Sequence, residues 1–282
     1  MNLFDVKNCI ETWKLNELSD TIDNFDKALY LHTSNQRIIR TNDYTNILLD
    51  IAAKSIVTTR EIICLVSNGY ADGAMALART LYEHYIIISF FECKKRDPDF
   101  NDIIEDYYLD YYRSRNRYIE CYAEAINDSQ MLEETKNNKE KLNNAAHKRI
   151  NGDYWWCGQS NFSNLISYII EKTKKDGLEN IQNRAKLFYK QACLFIHSNC
   201  FGNKWRLKYD SANSVTETGP SIKGNAIPLE FTTSSLILII CAICAGFEID
   251  YTDFRTKLND LALFYLEINN ENAEKMRRIN HA

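Results

Sequence analysis

Glycine and proline are almost missing from this sequence, with nine glycines and three prolines in 282 residues. Sandwiches and barrels consume both residues in their turns, so such a chain is left with long uninterrupted helices. The hydrophobic fraction of 45% supplies enough apolar surface for a core without disulfides or metal. No repeat, linker or low-complexity run divides the chain. The expectation is an all-α fold: one bundle-like domain over 1–282, with a central apolar helix and a peripheral N-terminal helix and C-terminal tail.

Helical periodicity places the elements. An amphipathic helix is expected over about 16–33 and a longer one from about Asn42, stopped by Asn68-Gly69. Residues 70–93 are apolar nearly all round, which marks a helix covered on several sides. Asp97-Pro98 reads as a capping aspartate with proline in the first turn of a helix through Ile126. A polar helix over about 129–148 and a loop of aromatics, Asn151 to Ser160, come next. Helices are then expected near 161–174 and 178–201, and a long loop with room for a short hairpin at about 202–227. Pro228 opens an apolar helix, and a last helix runs from Asp253 to about Met276. The uncharged run Ser235 to Phe247 is shorter than the roughly 20 residues of a membrane span and reads as core.

The net charge of −4 argues against a nucleic-acid footprint over the whole surface. The N-terminus lacks the pattern of a signal peptide, and nine cysteines in apolar stretches read as reduced core thiols, so a cytoplasmic protein is expected. Cys193, His197 and Cys200 have ligand-like spacing, and Cys241 and Cys244 form a C-x-x-C. Both sets sit inside apolar helices, where cysteine behaves as a small hydrophobe, so neither metal nor cofactor is expected.

Arg79 and Glu83 are the most informative residues. Four apart on a helix, they share a face otherwise made of Met75, Ile86 and Phe90. A charged pair held in such a setting often gains nothing over an apolar substitute, which suggests a role besides stability. The bland reading is an ion pair that fixes helix register. His197 lies on an apolar stripe near a helix end, where a satisfied core or capping histidine is ordinary. Arg79 and His84 also spell the R-x4-H pattern of the HEPN ribonucleases, which cut RNA without metal. Five residues turn a helix by about 500°, so His84 points roughly 140° away from Arg79 and two copies would have to meet. The helix from Tyr107 to Tyr122 interleaves tyrosines with Arg113, Arg115 and Arg117, as single-stranded nucleic acid would require. The expectation there is plainer: tyrosines inward and arginines in solvent.

In the order of its motifs the chain resembles a bacterial family known as domain of unknown function 5677. The resemblance covers about residues 45–205. It rests on a glycine turn before an alanine-rich helix with R-x-x-x-E (Gly69, Ala74, Arg79, Glu83). It continues in a tryptophan loop (Trp155-Trp156-Cys157-Gly158) and in Tyr189, Cys193 and His197 near a helix end. Cys193 stands where a serine or other small residue is expected. The resemblance implies an all-helical fold and a polar cluster of Arg79, Glu83, Trp156 and His197, and it implies no reaction.

Three functions fit. The first is a binding or sensing module in which Arg79 and His197 meet a small polar or anionic ligand, Glu83 holds the arginine and Trp156 forms a wall. The second is a HEPN-like ribonuclease, a toxin or phage-defence effector, in which Arg79 and His84 act on RNA across a homo-oligomer. The third is a structural or partner-binding helical protein. No membrane partner is expected.

Overall fold

The computed structural model describes residues 5–35, 43–174, 179–196, 207–208, 215–216, 221 and 224–280. Among them are ten α-helices, which makes the fold all-α. In chain order these are α1 (Val6–Thr12), α2 (Leu15–Asn35), α3 (Asp43–Ser67), α4 (Ala71–Lys94) and α5 (Phe100–Ile126). There follow α6 (Ser129–Asn144), α7 (Phe162–Thr173), α8 (Glu179–Ile196), α9 (Ala226–Gly246) and α10 (Thr252–Asn280). Within the expected long loop, β1 (Leu207–Lys208) and β2 (Val215–Thr216) form a minimal antiparallel ladder, pairing Leu207 with Thr216.

The chain forms two compact units, residues 1–88 with 178–282 and residues 89–177, and α4 passes from the first into the second. In the first unit α9 packs against α3, α8 and α10, and α2 lies against α3 and α10. Tyr265 donates its buried hydroxyl to the Trp13 carbonyl at 2.7 Å, tying α10 back to the start of the chain. Helix α9 is 21 residues long, well beyond the apolar run seen in sequence, and by length and composition alone it could cross a membrane. Most of it is buried inside the unit, including Glu230, Thr232, Thr233 and Ser235.

The turn between α3 and α4 forms as expected. Gly69 has φ 78°, its N–H donates to Val66 at 2.9 Å and the Tyr70 N–H donates to Leu65 at 2.8 Å. That pair of bonds closes the helix end with a left-handed residue that glycine adopts without strain. The start of α5 differs from expectation. Asp97 does not cap it, because its carboxylate accepts from Lys94 at 2.6 Å, and the helix begins after Asp99 instead. Helix α6 stops at Asn144, short of Lys148, and α9 begins at Ala226, inside the span assigned to the loop.

In the second unit α5 packs on α6 and on a single 3-10 turn, Trp155–Cys157. The tyrosines of α5 depart in part from the sequence reading: Tyr111, Tyr112, Tyr118 and Tyr122 are exposed, while Tyr107 and Tyr108 are half-buried, Arg115 and Arg117 are in solvent as expected, and Asp106, Asn116 and Ala123 are buried. Asn116 donates to the Thr135 carbonyl at 2.9 Å, so the face of α5 toward α6 is partly polar, and those four rings are turned out. The tryptophan loop is tight. Gly152 has φ 86°, and a Cβ there would overlap the Ser160 carbonyl.

Candidate functional site

Helix α4 presents Arg79 and Glu83 toward α8. The Arg79 Nε–H donates to Glu83 Oε1 at 2.9 Å, and one of its Nη–H groups donates to the Tyr189 hydroxyl at 3.3 Å. The guanidinium carbon also stands 5.1 Å from the centre of the Tyr189 ring, within cation–π range. Tyr189 in turn donates to Glu83, so three side chains from two helices close a polar triangle. Around it Met75, Ala78, Tyr82 and Ile86 are buried.

The triangle is less enclosed than its neighbours suggested. The side chains of Arg79 and Glu83 are 24% and 26% exposed. Burial is the largest single influence on each. It pushes the Glu83 carboxyl above the usual range even against Arg79 and the Tyr189 hydrogen bond. For Arg79 burial works toward loss of the proton, but the Glu83 charge with smaller contributions from Tyr189 and Cys193 more than offsets it, and the guanidinium is held more firmly cationic. Burial also raises the Tyr189 phenol to about 12, so that hydroxyl keeps its proton and can donate.

Of the residues singled out in sequence, the structure brings Arg79 and Glu83 together. Tyr189, noted there only as a motif residue, completes the group, and Cys193 lies one turn further along α8. His197 lies outside the described residues. Trp156 belongs to the second unit. There it stacks on Phe91 (5.5 Å, 17°) with Phe90 and Tyr107 edge-on at 5.5 and 4.9 Å, buried as a core ring. Its neighbour Trp155 donates to Asp110 at 2.6 Å.

His84 faces the other way. Its Nδ1 lies 3.0 Å from the Ser55 hydroxyl of α3, and burial, aided by Lys54, lowers its pKa to about 4. Arg79 bonds toward α8 and His84 toward α3, so among the described residues the two members of the R-x4-H pattern share no partner. The thiols of the C-x-x-C are both pushed up by burial, Cys244 to about 12, which disfavours the thiolate a metal would need. Among the described residues no three His, Cys, Asp or Glu side chains gather as a metal site.

A second cluster escaped the sequence reading. Glu230 on α9 is 3% exposed and accepts from Arg184 of α8 at 2.6 and 3.0 Å and from Asn269 of α10 at 2.6 Å. Its partners are distant in sequence and carry no motif. The available signal was a carboxylate four residues into an otherwise apolar helix, a position that demands a buried partner.

No curated protein and no solved structure matches the chain. A family model does match, over residues 45–212, a span that takes in α3 to α8 and with them Arg79, Glu83 and Tyr189. As that span is more than half of its length, the chain belongs to the family of unknown function DUF5677.

Proposed function

We propose that this protein is a binding module whose ligand is a small polar molecule bearing an oxyanion, received by Arg79. One observation carries the reading. The guanidinium is clamped through its Nε–H and one Nη–H, and the rest of its donor fork remains on a side chain about a quarter exposed. Clamping by Glu83 and Tyr189 removes rotamer freedom before a ligand arrives, which lowers the entropic cost of binding. A carboxylate or phosphate suits the planar fork best. His197, which follows Tyr189 and Cys193 at four-residue intervals in the sequence, is proposed on that spacing alone as a further contact for the ligand.

Glu83 gives the site its pH dependence. An arriving anion adds a second negative charge beside a carboxyl that burial has already raised, so its proton affinity rises further. Binding then takes up a proton and strengthens as pH falls.

The test follows the Arg79 Nε–H resonance during titration with inorganic phosphate. It is assigned by its loss in Arg79→Lys. A saturable shift, tighter in Glu83→Gln because a competing charge is gone, and weaker in His197→Ala, supports the reading. A resonance that ignores millimolar phosphate in wild type and Glu83→Gln alike refutes it.

A further inference from the structure

Helices α8, α9 and α10, with Tyr85 of α4, line an open cleft of about 570 Å³ that does not include Arg79 and is in the size range of small-molecule sites. Its walls are apolar: Phe188 from α8, Ile237 and Leu238 from α9, and Leu263 and Leu266 from α10. Leu263 is 58% exposed, so this wall of the cleft is open to an incoming ligand.

The two ends of the cleft differ in charge. At one, Arg184 and Glu230 neutralise each other, and with the Asn269 amide they occupy both carboxylate oxygens. At the other, Arg255 on α10 stands near Cys241 on α9, and among the described residues it has no carboxylate partner. Between Glu230 and Cys241, α9 advances about 16 Å, the length of an extended alkyl chain of roughly a dozen carbons. The arrangement is an apolar trough with an uncompensated cation at one mouth and a neutral polar stop at the other.

We infer that this cleft binds a medium-chain alkyl carboxylate, with its carboxylate on Arg255 and its chain lying on Leu238, Leu263 and Leu266. The apolar walls supply affinity through buried area, and Arg255 supplies orientation. The Arg184–Glu230 pair limits chain length, since a longer chain would press methylenes against groups that already satisfy one another. The inference is independent of the Arg79 site.

The experiment is calorimetric titration of the full chain with dodecanoate, held below its micelle concentration, with dodecan-1-ol and hexadecanoate in parallel. Saturable binding of dodecanoate is expected. Arg255→Glu weakens it by about tenfold or more while leaving dodecanol unchanged. Leu263→Trp, at an exposed position, fills the trough and weakens both. Hexadecanoate binds less tightly than dodecanoate, and Arg79→Lys binds dodecanoate as wild type does. The inference is overturned if wild type shows no saturable binding, if Arg255→Glu binds dodecanoate equally well, or if Leu263→Trp leaves both ligands unaffected.

Discussion

His84 offers the sharpest quantitative check on the first unit. Its ring is neutral in the folded protein down to about pH 4, because burial penalises the charge and Lys54 repels it. In the unfolded chain the ring titrates near 6.5. Between those values the unfolded state holds the proton more tightly, so stability present above pH 6.5 is lost as pH falls toward 4. The separation corresponds to about 3 kcal/mol, and partial solvent access of the ring trims that toward about 2. His84→Asn keeps a side-chain amide able to hydrogen-bond the Ser55 hydroxyl in either sense and cannot titrate. Urea unfolding of both proteins, at neutral pH and near pH 4, isolates the histidine from all other groups that respond to acid. Wild type should lose about 2–3 kcal/mol more than the variant over that interval. A difference that stays flat across the interval would show the imidazole charging freely in the folded state, and the account of its burial would fail.

Three substitutions test the packing described above. Trp156→Ala empties the ring that Phe90, Phe91 and Tyr107 surround, and about 3–5 kcal/mol should be lost in chemical denaturation; a loss below about 1 kcal/mol would mean that the tryptophan is not structural. Arg184→Ala leaves the buried Glu230 carboxylate with Asn269 alone and should cost about 3–5 kcal/mol. Glu230→Gln frees an arginine that already reaches water and should cost only about 1–2 kcal/mol, so the reverse order would refute the geometry.

The helices were legible in sequence because their signals are local. The all-round apolar pattern of α4, the Asn68-Gly69 stop and the start of α7 at Asn161 each depend on a few neighbouring residues. Where reading failed, a competing partner had won. Lys94 takes the Asp97 carboxylate that was expected to cap α5. Along α5, buried Asn116 finds a carbonyl on α6, so hydrophobicity alone misjudged which face turns inward. The Arg79–Glu83 pair was visible because helical spacing requires it, and Tyr189 entered only through its place in a motif. Glu230 stayed hidden since its two partners lie far along the chain and only the packing of three helices unites them.

The division of the chain bears on how it is made. The second unit is one unbroken stretch, residues 89–177, complete as soon as that stretch has been synthesised. The first unit is split, and bonds such as that from Tyr265 to Trp13 join residues from opposite ends of the polypeptide. On the ribosome its opening helices must wait with apolar flanks uncovered until α9 and α10 emerge, and contacts so remote in sequence form slowly. A nascent chain halted after α7 would thus hold one finished body and one unfinished, aggregation-prone half.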